Sequence, residues 1–260
     1  MAWQKLITNQ LAGFRMSENP YEPTLSSGSI ESKKESVSAT SEYRYKSLGF
    51  LTTSICIALV TLSICNVLVN AIETACFSIY PEFCFAEFVP DDPIGLGMLF
   101  VMSGFGIVSI LAYLWNVVAV PMFTYRSNAN LRACGIKGLN YSPEVSSVFW
   151  FIPIMNLFRP YQVYKEVFVE SHVTDENPLP TPNTSVVGIW WGTWLVGDIL
   201  GRITFRIGMN APELGTNYLI LSWFSTISLC FAAVFLINIL VTISKKQQAM
   251  NDSIADIEFD

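Results

Sequence analysis

The chain is short of charge and almost without histidine. Only 14% of its 260 residues are Asp, Glu, Lys or Arg, where soluble domains carry about 25%. His172 is the one histidine, which excludes a histidine metal cage and a histidine pair for acid–base work. Positive charge is scarcer still: 15 Lys and Arg stand against 21 Asp and Glu, a net charge of −6, with a pI near 4.9. A nucleic-acid partner calls for a basic stripe or a pI above about 9, so none is expected. The sequence also holds no C-x-x-C, G-x-S-x-G, Walker A or H-E-x-x-H string. Thiol-metal, hydrolase, nucleotide-binding and zinc-protease chemistry have no foothold, and neither a metal, a cofactor nor an enzymatic activity is expected.

What is abundant is apolar side chain, 52% of residues, giving a mean hydropathy of +0.42. A helix crosses the hydrocarbon core, about 30 Å thick, with about 20 apolar residues. Four stretches have that length: 48–72, 98–120 and 218–243, all uncharged, and 186–207, which carries Asp198, Arg202 and Arg206. The fold class expected is therefore all-α integral membrane, with four transmembrane helices. A fifth apolar stretch, 145–168, is interrupted by Pro153 and Pro160 and carries Arg159, Lys165 and Glu166. Each proline removes a backbone donor, and in lipid the freed carbonyl needs a partner from protein or water. A proline-broken re-entrant or interfacial segment is expected; read instead as a span, it gives a five-helix alternative.

Short cytoplasmic loops concentrate Lys and Arg. The loop from Phe77 to Gly97 has neither, while Glu82, Glu87, Asp91 and Asp92 lie in it, so it is expected outside. Four spans then place Arg126, Arg132, Lys137, Arg159, Lys165, Lys245 and Lys246 inside, with both termini; five would move Lys245 and Lys246 out. Residues 1–46 read as a cytoplasmic, largely disordered arm, because 17–42 are rich in Ser, Glu and Pro and poor in large apolar groups. Before them, Trp3, Leu6, Ile7, Leu11 and Phe14 recur at helical spacing, a pattern that suits a short helix on the membrane surface; a start at Met16 would omit it. No signal-peptide core appears there, so targeting is assigned to the first spanning helix. The membrane domain is 47–244, and 245–260 is expected to be a solvated cytoplasmic tail.

Polar groups inside spans are costly and mark candidate sites. Asn66, Asn70 and Glu73 share one helix face, as do Asp198, Arg202 and Arg206. Rise per residue brings the two sets to one depth in the four-span arrangement. Asn66 and Asn70 are then expected to bond Arg202, with Glu73 meeting Arg206. This is either a pocket for a small anion or zwitterion, or an ion-pair network that fixes helix packing. Gly188 with Gly192, and Gly197 with Gly201, are small-residue pairs that let backbones approach. Trp190, Trp191 and Trp194 suit an aromatic belt at the inner interface. Cys76 and Cys84 share the outer side and could form a disulfide in an oxidising compartment.

The stretch 125–171, with S-P at Ser142 and Pro143 and the core W-F-I-P-I-M-N-L-F-R-P over Trp150, Pro153, Asn156, Arg159 and Pro160, precedes the Trp-rich W-W-G-T-W. It resembles an uncharacterised bacterial family of multi-pass membrane proteins, a domain of unknown function. Cys134 and Phe168 depart from that family's usual Leu and Trp. The resemblance implies a bacterial cytoplasmic membrane and transfers no mechanism. From the residues alone, Asn156 and Arg159 are expected to satisfy the carbonyls that the prolines free. Two functions stay open: a non-enzymatic membrane interaction or scaffold module, packing with itself or another membrane protein; or a small-solute or ion conduit using Asn66, Asn70, Glu73, Asn156, Arg159, Asp198, Arg202 and Arg206.

Overall fold

A computed structural model describes residues 43–80, 91–172, 182–210 and 215–259. The expected disordered arm up to residue 42, the surface helix before it and Cys84 lie outside these residues. Among the described residues all regular structure is helical: α1 (Gly49–Ile79), α2 (Pro93–Ala133), α3 (Pro143–Val148), a 3-10 turn (Met155–Leu157), α4 (Arg159–Glu170), α5 (Ser185–Asn210) and α6 (Gly215–Phe259).

The ends of these helices follow from local chemistry. Asp92 starts α2, its carboxylate accepting from Ile94 N and Gly95 N at 3.1 Å, with Pro93 in the first turn. Gly135, at φ +83°, ends α2 in a left-handed turn. There Ile136 N bonds Leu131 O and Gly135 N bonds Arg132 O, which takes up two terminal carbonyls. Ser142 and Pro143 open α3, the Ser142 hydroxyl accepting from Val145 N. The predicted break is present: between α3 and α4 the chain passes through successive turns rather than a continuous helix.

Helices α1, α2 and α6 are each long and apolar enough to cross a membrane. Helix α5 has 26 residues, but its three charged side chains lower its hydropathy. The bundle is antiparallel. Met98 of α2 meets Cys76 of α1, Thr226 of α6 meets Asn70 of α1, and Ser228 of α6 bonds the Thr193 carbonyl of α5. Helix α6 packs on both α1 and α5. Helix α5 thus starts at the end of the bundle where α2 and α6 finish, beside α4 and the 3-10 turn.

Helices α2 and α6 exceed the bilayer. At about 1.5 Å per residue, 41 and 45 residues span roughly twice the hydrocarbon thickness. Their protruding ends, with α3, α4 and the start of α1, build a cap that holds most of the buried core: Leu48, Phe123, Leu131, Tyr164, Val167, Trp190, Ile239 and Ile243. Beyond it the helices turn Phe100, Ile107, Leu111, Phe224 and Val234 outward, as lipid permits. Two expectations change here. Residues 245–259 continue α6 instead of trailing off, because Gln247 is fully buried and Met250 packs on the core. Trp190 and Trp191 are core residues, not an interfacial belt: Trp190 lies 4.9 Å from the Tyr164 ring and Trp191 stands edge-on to Trp150.

Candidate functional site

Two polar layers lie in the bundle, one at each end. The first layer belongs to the cap. Past Pro121, α2 buries Thr124, Ser127, Asn128 and Asn130 beside the apolar Phe123, Ala129 and Leu131. Asn130 exchanges two bonds with the Lys46 backbone, and its Nδ2 also reaches Gln247 Oε1 at 3.3 Å. Gln247 Nε2 donates to Ser127 O and Ser171 Oγ at 3.0 and 3.1 Å. Asn128 and Arg132 both donate to the Tyr141 carbonyl, and Arg132 Nε also donates to Asn128 Oδ1. This ties α2 to the loop before α3. Tyr164 is buried beside Thr124, and desolvation pushes its phenol far above the ordinary tyrosine range.

The broken segment is held differently from expectation. Arg159 does not satisfy the freed carbonyls; its Nη1 donates to Tyr141 Oη and Gln162 Oε1 at 2.9 Å, and its guanidinium stacks near Tyr141, Phe149 and Phe158. Trp191 Nε1 instead bonds the Leu157 carbonyl at 3.0 Å, while Trp150 Nε1 reaches Thr124 Oγ1. Asn156 does turn inward, its Oδ1 buried without a partner. Rigid indoles reach these sites at less entropy cost than a long arginine would need. Glu166 Oε1 accepts from Asn140 N and Nδ2 at 2.6 and 2.7 Å.

The second layer joins α1 to α6. Tyr218 Oη donates to Glu73 Oε1 at 2.6 Å, Ser222 Oγ donates to Asn70 Oδ1, and Asn70 Nδ2 donates to Thr226 Oγ1 at 2.6 Å. Trp223 Nε1 bonds Thr74 Oγ1 at 3.0 Å. Asn70 and Glu73 are 6% and 3% exposed, so the layer is closed to water on the α1 side. Asn66 contributes its carbonyl to Asn70 Nδ2. On the α5 side lies a pocket of about 200 Å³, lined by Gly201, Thr204, Phe205, Gly208, Tyr218, Ser222, Ser225 and Thr226.

The expected bridge from Asn66 and Asn70 to Arg202 is not made. Arg202 gives Nε and Nη2 to Asp198 on its own helix, with 76% of its side chain exposed. Asn70 and Glu73 spend their bonds on α6. The depths agree, since Gly197 and Gly201 of α5 lie against Leu229 and Ser225 of α6, one turn from Thr226. The faces do not, because α6 packs on both helices and takes up the polar face of α1. Arg206 is exposed on α5. Cys76 is a buried free thiol beside Met98. Residues that the sequence reading passed over are Tyr218, Ser222 and Thr226, spaced every four positions on a helix uncharged across its apolar stretch, a periodicity that could have marked them. No group of His, Cys, Asp and Glu suited to a metal occurs among the described residues.

No curated protein and no solved structure matches the chain. One family model matches residues 98–245, from the start of the α2 span to the basic pair in α6, leaving Asn70 and Glu73 outside the matched range. That range covers more than half of the sequence, and the chain belongs to the family described as Domain of unknown function (DUF4328).

Proposed function

We propose that the protein is a multi-pass integral membrane protein of four spans, N- and C-termini cytoplasmic in a bacterial inner membrane, that serves as a non-enzymatic interaction module. Its docking face is the side of α5 that α6 leaves uncovered. The observation that carries this is the Asp198–Arg202 pair, 34% and 76% exposed in its side chains. An ion pair fronting lipid is expensive, and a neighbouring membrane helix that offers an oxygen acceptor to the remaining Arg202 N–H groups removes that cost. Gly188 and Gly192 support the reading. A Cβ at either would meet nothing within 4 Å, so a second backbone can approach there. Exposed Ile189, Ile199 and Ile203 complete the face.

The start of α5 beside the ends of α2 and α6 supports four spans. A single cysteine at Asn183, in a cysteine-free background, should resist an impermeant thiol reagent until cells are opened; labelling from outside overturns that topology. A photo-crosslinking residue at Ile199 should yield a protein adduct, either a dimer of this chain or a complex with another membrane protein, whereas one at Phe100 on α2 yields lipid adducts. Equal behaviour at the two positions overturns the docking face.

The conduit reading has the buried layer between α1 and α6 in its favour. Its residues nevertheless fall into three groups: Asn66, Asn70 and Glu73 beside α6; Asp198, Arg202 and Arg206 on α5; and Asn156 and Arg159 at the inner cap. Liposomes carrying the protein should therefore pass solutes no faster than empty ones, and a flux abolished by Arg202→Leu would reverse the preference.

A further inference from the structure

The pocket between α5 and α6 is lined by hydroxyl oxygens most of whose hydrogens are committed elsewhere. Thr204 Oγ1 gives its hydrogen to Leu200 O at 2.8 Å, Ser225 Oγ to Gly197 O at 2.9 Å, and Ser222 Oγ to Asn70 Oδ1. Thr226 Oγ1 already accepts from Asn70. A hydroxyl has one hydrogen and two lone pairs, so the Thr204, Ser225 and Ser222 oxygens keep acceptor capacity while their hydrogens are committed elsewhere, and Thr226 keeps one lone pair beside its hydrogen. No Lys, Arg, Asn or Gln lines the space. For an anion the lining offers one hydroxyl hydrogen, that of Thr226, and no charged donor.

Behind this wall stands Glu73, 3% exposed. Its bonded neighbour is the Tyr218 hydroxyl, and Tyr218 lines the pocket. Among the described residues no Lys or Arg forms an ion pair with Glu73. A buried carboxylate held by one hydroxyl is short of positive charge. The nearby space supplies oxygen ligands for such a charge, and Phe205, an aromatic side chain of the kind that attracts cations, also lines it.

The geometry points to a binding site for a small monovalent cation, an alkali ion or a primary ammonium, in the pocket formed by Thr204, Ser222, Ser225 and Thr226, with Glu73 as its counter-charge. At about 200 Å³ the pocket exceeds a bare ion, since one water occupies about 30 Å³; an alkali ion would keep part of its hydration shell. The site lies within one chain, on the side of α5 opposite the proposed docking face, so either reading can fail without the other.

The test uses the full chain in lipid nanodiscs at fixed ionic strength. N-methylglucamine, a secondary ammonium far bulkier than the three test cations, is replaced stepwise by sodium, potassium or methylammonium while thermal unfolding is followed. A ligand that binds only the folded state raises the unfolding temperature saturably. We expect that rise with at least one of the three cations, and which one responds separates an alkali ion from an ammonium. Glu73→Gln should abolish it. Thr204→Val keeps the side-chain shape and removes one pocket oxygen, and should raise the half-saturating concentration about tenfold. Thr204 bonds only its own helix, so this variant remains informative if Glu73→Gln fails to fold. Absence of a saturable cation-specific rise, or wild-type half-saturation in Thr204→Val, overturns the site.

Discussion

Asn130 holds Lys46 as one β-strand holds another: its Oδ1 accepts the Lys46 N–H and its Nδ2 donates to the Lys46 carbonyl, both at 2.9 Å. The chain entering α1 is thereby fixed to the end of α2, 84 positions later, and to Gln247 near the end of α6. Three helices, each long and apolar enough to cross a bilayer, are registered by one buried amide.

Removing that amide should be costly. Asn130→Ala leaves the Lys46 backbone groups without their partners in a site where Asn130 is 1% exposed, and each unsatisfied buried group costs about 1–3 kcal/mol. A loss of about 3 kcal/mol is expected, read as a large drop in unfolding temperature in detergent. Asn130→Asp should fare no better, since a carboxylate cannot donate to the Lys46 carbonyl. A wild-type melting curve for either variant would show that the registration is dispensable.

Cys134, just past the end of α2, should be a sluggish nucleophile. Burial pushes its thiol up to about 11, so at pH 8 only about one molecule in a thousand carries the thiolate, against about a quarter for an ordinary cysteine. With Cys134 as the sole cysteine, iodoacetamide alkylation of the folded protein should accelerate about tenfold per pH unit from 8 towards 11. A plateau near pH 9 would mean that the thiol is open to solvent.

The loop side should show the reverse sign at low pH. The Tyr80 hydroxyl donates to Asp92 Oδ1 at 2.6 Å, and with the Gly95 and Ile94 N–H groups it holds the carboxyl below its ordinary value of 3.8. A depressed folded value means that the stabilisation is complete above the unfolded value and is lost as pH falls through the folded one. The same bond raises the Tyr80 phenol above 10, so its share is present below pH 10 and disappears as pH rises past the folded value. Asp92→Asn should remove the acid limb of the stability curve, while Tyr80→Phe should weaken both limbs. An acid limb of unchanged slope in Asp92→Asn would assign it to another carboxylate.

These contacts also show what a sequence makes legible. Depth was readable, because rise per residue is fixed: Asn70 and Arg202 do lie near one level. Partner choice was not, because periodicity tells which side chains share a face but not which helix covers it. Helix α6 carries no charge across its span and so drew no attention as a polar partner, although Tyr218, Ser222 and Thr226 give it a hydroxyl stripe. The break at Pro153 and Pro160 was readable from the missing donor and crowded turn. Its repair was not, since the Trp191 indole arrives from another helix, 34 positions away. Gln247 escaped notice for a related reason: it lies past the apolar stretch, where a span was expected to end.

The glycines of α5 separate the fold from the proposed docking. A Cβ at Gly197 would come within 2.7 Å of Leu229 Cγ and 3.2 Å of the Leu229 backbone nitrogen. Leu229 can turn away but its backbone cannot, so Gly197→Ala must push α5 from α6; overpacking of this kind costs about 1–3 kcal/mol. Gly188→Leu and Gly192→Leu meet open space within the chain, and should leave the unfolding temperature of the isolated protein unchanged while blocking approach of a second backbone. The expected pattern is opposite in the two assays: Gly197→Ala melts early yet still forms the Ile199 cross-link at permissive temperature, whereas Gly188→Leu melts as wild type and loses it. If Gly188→Leu keeps the cross-link, a partner still touches Ile199, but it does not approach along the glycine stripe, and Arg202 must be covered by a side-chain contact alone.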